Sequence, residues 1–313
     1  MRSREAVINL PQNLSDITVC APAKVNVILR ILDRRSDGFH NLWSVMQTVA
    51  LDDEVQIRLR SDRQDIQLRC DATDLATDQS NLVYRAAVAV LARAQQSVGL
   101  DIELRKRIPM GAGLGGGSSD AAATIIGLNG LLQLKWSPAQ MAEVGQSLGS
   151  DVPFFLFAPA ACVTGRGETV RPVVVEGARW VVLVNPGFGV NTKWAYQELA
   201  AARTSVRPLS YAQQELDRQS RMDWAQLIAA AENDFEAPVF AAHGTLREIK
   251  QRLQAHGAEI ALLSGSGATV FGVFADEAGA RRSHAQFVSE KFMNVFTIPT
   301  CSGPLVWRYE RSH

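Results

Sequence analysis

The chain has few cysteines, no excess of charge of either sign and no long apolar run. Cys20, Cys70, Cys162 and Cys301 are widely spaced among 313 residues, which argues against a disulfide scaffold and against a zinc site. Lys plus Arg equals Asp plus Glu at 32 each, so no global field attracts nucleic acid or an anionic membrane. The longest apolar stretch, residues 152–163, is too short and too broken by proline to span a bilayer. With no signal-peptide core near Met1, we expect a cytoplasmic protein without nucleic-acid or membrane partners.

What the chain does have is a glycine-rich segment from Pro109 to Ala123, with five glycines and two serines before an alanine run. Glycine lets backbone amides approach a ligand, and the amides that open a helix, with the positive end of its dipole, attract phosphate. A purely structural strand-to-helix turn is the alternative. The segment favours a nucleotide enzyme.

The common nucleotide motifs do not fit this segment. Gly111, Gly113 and Gly116 match G-x-G-x-x-G, but Arg105–Arg107 precede the match and residues 131–137 hold no answering carboxylate. No Gly-Lys-Ser/Thr follows, which excludes a Walker loop, and the chain lacks the His-Arg-Asp and Asp-Phe-Gly triplets of protein kinases.

Alternating and helical patterns predict an α+β fold of two domains. Residues 17–32 and 45–60 read as long strands joined by a hairpin at 34–38, and a helix follows the glycine segment. Ser137 as N-cap, Pro138 in the first turn and Gly149 after the end predict the next helix, and 170–175 reads as one strand. We place the domain boundary at residue 178, which gives domains of residues 1–178 and 179–313.

Two segments carry candidate chemistry. In a strand, Lys24 and Asn26 lie on the same face, opposite Val25 and Val27. A lone lysine there would be an edge residue that reaches solvent, but the neighbouring Asn26 favours a functional site. Asp151 precedes an apolar run, where a carboxylate near a cation is suited to act as a general base, although it equally suits a turn cap.

Two further segments are weaker signals. Asp37-Gly38-Phe39-His40 ends the hairpin turn and offers an aromatic ring and an imidazole that could flank a planar base. Residues 263–269, Leu-Ser-Gly-Ser-Gly-Ala-Thr, form a second small-residue loop, which suits either a simple tight turn or close packing against a phosphate loop.

In this order and spacing, these segments resemble the small-metabolite kinases, the family that includes galactokinase, homoserine kinase and mevalonate kinase. Residues 109–123 resemble their phosphate loop and 263–269 their third motif. Segments 22–26, 35–40, 149–155 and 232–236 are most similar to the branch that phosphorylates 4-diphosphocytidyl-2-C-methyl-D-erythritol. The resemblance implies the two-domain fold of that family, with the ATP and substrate sites in the cleft between the domains.

The resemblance also implies an enzyme that moves the γ-phosphoryl group of ATP to the 2-hydroxyl of that alcohol in the non-mevalonate isoprenoid pathway. It implies Asp151 as the base and Lys24 as its cationic partner. It implies that the substrate, with its cytidine diphosphate group, contacts Asn26, Phe39, His40 and Thr192. The implied ATP contacts are Pro109, Met110, Gly111, Ala112, Gly113, Leu114, Gly115, Gly116, Gly117, Ser118 and Ser119.

The resemblance implies that Mg²⁺ enters with the nucleotide, with Ser118 or Ser119 as candidate contacts, and we assign no residue as a metal ligand. Phe39 stands where the family usually has tyrosine, so stacking survives but a phenol hydrogen bond is lost. We expect a monomer or a weak homodimer. A sister kinase with another small alcohol and a nucleotide-binding regulatory protein without turnover are the alternatives.

Overall fold

The computed structural model describes residues 15–35, 40–157, 159–203, 205–301 and 309–310. The strands are β1 (Asp16–Arg34), β2 (His40–Arg60), β3 (Ile66–Cys70), β4 (Gly99–Arg105), β5 (Ala160–Gly165), β6 (Thr169–Pro172), β7 (Val174–Glu176), β8 (Trp180–Asn185), β9 (Arg221–Asp223), β10 (Glu232–Asn233), β11 (Ile260–Leu263), β12 (Val270–Phe274), β13 (Asn294–Pro299) and β14 (Tyr309–Glu310). The helices are α1 (Leu82–Ala94), α2 (Gly116–Leu131), α3 (Pro138–Gln146), α4 (Phe154–Phe157), α5 (Thr192–Ala202), α6 (Tyr211–Asp217), α7 (Trp224–Ala230), α8 (Glu236–Ala242), α9 (Gly244–Ala255) and α10 (Glu277–His284).

The larger sheet is built around β1 and β2, which pair antiparallel over nearly their whole lengths. β10 lies parallel to β1 on one side, and β4 and then β3 follow β2 on the other. β5 pairs with the first part of β2 and with β6, and β14 pairs with the start of β1. The two long strands predicted from the sequence are confirmed, whereas residues 36–38 of the predicted hairpin turn lie outside the described residues.

A second, four-stranded sheet has the order β11-β12-β8-β13 and is antiparallel throughout. Its residues alternate between two apolar clusters, since Val181 and Leu183 pack with Val25 of β1, while Val182 and Val184 face the cluster that holds α2. Its strands all come from residues 180–299, but β10 from the same half joins the larger sheet. The domain boundary at residue 178 stays a prediction.

Local signals explain where the helices begin. Asn81 and Ser137 cap α1 and α3 with their side chains, and Pro138 follows in the first turn of α3. α3 ends at Gln146, so the end predicted from Gly149 lies too far along the chain. α2 begins at Gly116, after Gly115 in the left-handed region, and is buried along most of its length against β1 and β2.

The single strand predicted over residues 170–175 is wrong. The structure divides this stretch into β6, which pairs with β5, and β7, which pairs in parallel with β9. Pro172 has no N–H to donate and ends β6, after which the Val173 amide donates to the carbonyl oxygen of Ala160. In the described part of the chain, no helix combines the length and apolar character that crossing a bilayer would take.

A buried ionic cluster ties the start of α2 to the sheet. The Lys106 ammonium pairs with Asp53, at the middle of β2, and with Asp120 in the first turns of α2, at 2.6 Å from Asp120. Asp53 also accepts from the amides of Arg107 and Ile108, which lead into the glycine segment. Burial raises the pKa of the Asp120 carboxyl to about 7. Lys106 is therefore the cation on which two buried carboxyl groups depend.

We expect Lys106→Met to destabilise the fold by about 3–5 kcal/mol, because removing one partner of a buried ionic group leaves uncompensated charge. The measurement is the free energy of unfolding in urea. Lys135→Met, at an exposed lysine, is the control and is expected to change it by about 0.5 kcal/mol or less. Equal stabilities for the two variants would contradict the role given to Lys106.

Candidate active site

Lys24 lies at the centre of the site, and strand irregularities place it there. The pairing of β1 with β2 shifts register between Pro22 and Ala23 and again between Asn26 and Ile28. Such shifts re-aim the side chains between them. Lys24 is 3% exposed, and its ammonium donates to Asn26 Oδ1 at 2.7 Å. The same-face placement of this pair, predicted from strand alternation, is confirmed.

The Lys24 ammonium also links the glycine segment to Asp151. It donates to the carbonyl oxygen of Gly113 at 3.1 Å and lies 3.7 Å from Asp151 Oδ2. Burial lowers the pKa of Lys24, and the Asp151 carboxylate opposes that shift. Asp151 itself keeps a third of its side chain exposed (33%). The pair thus consists of a buried cation and a partly exposed carboxylate.

The glycine segment turns sharply before α2. Gly111, Gly113 and Gly115 all have positive φ angles, of 62°, 78° and 72°. The Lys24 amide donates to the carbonyl oxygen of Leu114 at 2.9 Å, which joins the segment to β1. The first amides of α2 directly follow these turns, an arrangement that suits phosphate binding.

The second small-residue loop, residues 263–269, packs directly on the glycine segment. Ser264 Oγ donates to the Gly113 carbonyl oxygen at 2.9 Å, so this oxygen accepts from both Ser264 and Lys24. The Thr269 amide donates to the carbonyl oxygen of Ala112 at 3.2 Å. The close packing predicted for the two loops is confirmed.

Thr192 and Asn26, both predicted to contact substrate, are held by side chains of the site. Thr192 begins α5, and its hydroxyl lies 2.8 Å from that of Ser266 in the second loop. Asn26 is 1% exposed and donates to Ser44 Oγ at 2.9 Å, besides accepting from Lys24. Their contacts with substrate stay predictions.

The expected base-recognition pair is described only in part. Phe39 lies outside the described residues. His40 stacks on the ring of Tyr196, with centroids 5.1 Å apart and planes at 20°. Burial raises the pKa of the Tyr196 phenol to about 12, and the nearby Asp151 carboxylate adds to the rise. Tyr196 is therefore close to both His40 and Asp151.

Reasoning from the sequence missed Tyr196 and Asn233. Tyr196 lies in α5, where an aromatic residue suggests ordinary packing, and only its stack on His40 brings it to the site. Asn233 belongs to the segment 232–236, which the sequence singled out only as a resemblance, and its amide reaches the second loop. Among the described residues, no group of three or more His, Cys, Asp or Glu side chains is placed to hold a metal ion.

The chain is similar to proteins of one kinase family along most of its length. The family model described as GHMP kinases N terminal domain matches residues 81–158, and that described as GHMP kinases C terminal matches 212–292. A 4-diphosphocytidyl-2-C-methyl-D-erythritol kinase from Geobacter sp. (strain M21) is 40% identical over 276 residues, covering 87% of this chain and 95% of that protein.

Solved structures agree. A crystal structure of 4-(cytidine 5'-diphospho)-2C-methyl-D-erythritol kinase is 30% identical with a TM-score of 0.73, covering 91% of this chain and 100% of that one. A homoserine kinase from Cytophaga hutchinsonii, 18% identical with a TM-score of 0.74, covers 97% of this chain and 100% of its own and shares the fold. The two-domain α+β kinase fold expected from the sequence is confirmed. The chain belongs to the GHMP kinases and, within them, to the 4-diphosphocytidyl-2-C-methyl-D-erythritol kinases.

Proposed function

We propose that Lys24 and Asp151 carry out the reaction of this family, transfer of the γ-phosphoryl group of ATP to the 2-hydroxyl of 4-diphosphocytidyl-2-C-methyl-D-erythritol. The products are the 2-phosphate and ADP, in the non-mevalonate route to isoprenoid precursors. The observation that carries the proposal is the Lys24 ammonium, buried between the Gly113 carbonyl oxygen and the Asp151 carboxylate.

The two side chains divide the work as the chemistry requires. Phosphoryl transfer depends on in-line positioning and on neutralisation of charge more than on covalent catalysis. Asp151, the more exposed of the two side chains, accepts the proton of the substrate 2-hydroxyl while the hydroxyl oxygen forms its bond to phosphorus. The Lys24 ammonium offsets the charge that develops on the transferred group. Because Lys24 is buried, its attraction for that charge is weakly screened.

The glycine segment supplies the phosphate site. The amides of residues 111–119 hold the ATP phosphates at the start of α2. A Mg²⁺ ion arriving with the nucleotide would supply charge neutralisation at the ATP phosphates, beside the residues that open α2. The Ser119 hydroxyl is buried and makes no hydrogen bond among the described residues, so this unused oxygen in the first turn of α2 fits a contact with the phosphates or their metal.

The cytidine diphosphate end of the substrate is assigned to the other side of the cleft. His40 offers hydrogen bonds to cytosine, and Phe39 a stacking surface. Tyr196, stacked on His40 with planes 20° apart, fixes the imidazole plane. Thr192 and Asn26 contact the remainder of the substrate.

The first experiment is a panel assay. Purified protein with ATP and Mg²⁺ receives 4-diphosphocytidyl-2-C-methyl-D-erythritol, mevalonate or homoserine, and ADP release is followed. Release with the cytidyl substrate alone supports the proposal. Release with another alcohol would instead indicate a sister kinase. ATP binding without any release would favour a regulatory protein.

We expect Tyr196→Leu to raise the KM for the cytidyl substrate by about two- to tenfold, because an aromatic pair contributes about 0.5–1.5 kcal/mol beyond its buried area. The KM for ATP should stay within about twofold, since Tyr196 touches the substrate side. Steady-state kinetics with each substrate varied in turn measures both. Tyr84→Leu in α1 is the matched control. An equal rise in the KM for ATP and the KM for the cytidyl substrate in Tyr196→Leu would show that Tyr196 has no special role at the base site.

The proposal also covers the location of the enzyme in the cell, its oligomeric state and its domain division. Cys20, Cys70, Cys162 and Cys301 form no disulfide with one another, which suits the reducing cytoplasm, where ATP is also available. We assign the enzyme to the cytoplasm, as a monomer or weak homodimer. The domain division at residue 178 is supported by the second sheet, whose strands all come from residues 180–299.

A further inference from the structure

The segment 232–236 contains a buried asparagine that takes no direct part in the proposed reaction. Asn233 is 4% exposed, and its Nδ2 donates to two carbonyl oxygens, those of Leu263 at 2.7 Å and Gly265 at 2.8 Å. Its Oδ1 accepts from the Phe235 amide at 2.9 Å. One side chain amide therefore satisfies two carbonyl oxygens that lie either side of Ser264.

The loop that Asn233 holds touches both sides of the active site. Ser264 donates to the Gly113 carbonyl oxygen, on the nucleotide side, and Ser266 bonds to Thr192, on the substrate side. The backbone at Gly265 is so close that a Cβ there would lie 3.2 Å from Gly113 O and 3.5 Å from Lys24 Nζ. A displacement of this loop would be transmitted to the carbonyl oxygen that orients Lys24.

The residues flanking Asn233 fix its position. Asp234, with a fully buried side chain, accepts from Arg30 Nε and from the Ile31 amide, the latter at 2.6 Å. Glu236 Oε1 accepts from the Leu263 amide at 3.0 Å, and Lys250 pairs with the same carboxylate at 2.6 Å. The segment is thus anchored to β1, which carries Lys24, and to the loop that faces Lys24.

We propose that Asn233 is a positioning residue for phosphoryl transfer, whose amide holds the loop at 263–266 against Gly113 and thereby sets the place of the Lys24 ammonium. The proposal rests on the catalytic role proposed above for Lys24. Small errors of placement are costly, since a shift of about 1 Å in a reacting group lowers rates by about 10²-fold. Binding of ATP depends on many amides and is less sensitive to this one loop.

Asn233→Asp tests the proposal, because aspartate keeps the shape but directs a carboxylate oxygen at the carbonyl oxygens of Leu263 and Gly265. We expect kcat to fall at least tenfold while the Kd for ATP, measured by calorimetry, stays within about threefold. Asn129→Asp is the matched control, as the Asn129 amide also donates to a backbone oxygen, that of Trp136, outside the site. Its kcat should stay within about twofold of the unaltered enzyme.

Two further measurements keep the test decisive. If Asn233→Asp fails to fold, Ser264→Ala breaks the next link and should itself lower kcat with little change in ATP binding. Amide hydrogen exchange over residues 263–269 does not depend on turnover, and it should accelerate in Asn233→Asp and not in Asn129→Asp. An inactive unaltered enzyme would refute the function proposed above. Unchanged exchange, unchanged kcat, or parallel losses of kcat, ATP affinity and Tm would overturn the positioning role.

Discussion

Replacing Asp151 with asparagine is expected to lower kcat by about 10²–10⁴-fold, the usual contribution of a general base. Asparagine has nearly the same shape and leaves an amide oxygen near Lys24, but it does not accept the proton of the substrate hydroxyl. The Kd for ATP should change little, because the proposed phosphate contacts come from the amides of the glycine segment and not from the Asp151 carboxylate. Rapid-quench measurement of phosphoryl transfer, with ATP binding measured in parallel, separates these two effects.

Asp65→Asn is the control for this change. Asp65 is a largely exposed carboxylate that pairs with Arg63 on the larger sheet, so its replacement removes one surface charge and leaves the cleft untouched. Its kcat should match that of the unaltered enzyme. If Asp151→Asn keeps kcat within about threefold, the base is another group and Asp151 serves only as the counter-ion of Lys24.

The part of this site that lies within one strand could be predicted from the sequence. Alternation along β1 places Lys24 and Asn26 on one face, and the short hydrogen bond between them follows from that spacing. The turn and the helix of the glycine segment could likewise be predicted from its own residues, because glycine adopts the positive φ angles of the turn and the alanine run favours a helix.

The contacts between distant segments could not be predicted from the residues alone. No periodicity links Lys24 to Asp151, whose approach depends on how α2 packs on β1 and how α3 packs on α2. Tyr196 gave no signal, since its spacing within α5 suits a core residue equally well. These placements depend on tertiary packing. The pairing of Lys24 with Asp151 was expected from the similarity to a known family and not from local sequence patterns.

Polar segments show the same division. Residues 232–236 are rich in acid, which alone suggests a solvated turn. The structure instead buries Asp234 beside Arg30, Arg203 and Arg207, so its charge is compensated by cations from three other places in the chain. These arginines come together around Asp234 only in the folded chain, so their grouping could not be predicted from the spacing of residues in the sequence.

The second large effect is expected from Gly113→Ala. Gly113 has a φ of 78°, and a Cβ there would lie 2.0 Å from the Ser264 carbonyl oxygen and 3.0 Å from that of Gly267. Both are backbone atoms, so the two loops must separate to admit the methyl group. The Gly113 carbonyl oxygen, which accepts from Lys24 and Ser264, would move with them. We expect kcat to fall about 10²-fold, the cost of misplacing a reacting group by about 1 Å.

Gly111→Ala provides a matched control in the same loop. Gly111 has a similar φ of 62°, but a Cβ there meets nothing within 4 Å. In both variants an alanine in the left-handed region costs about 1–2 kcal/mol. The difference between their free energies of unfolding therefore reports the cost of the steric contact at Gly113. Overpacking of this kind should lower the free energy of unfolding of Gly113→Ala by about 1–3 kcal/mol more than that of Gly111→Ala. Equal stability and equal kcat in the two variants would mean that the second loop yields freely, and that the contact between the loops does not position Lys24.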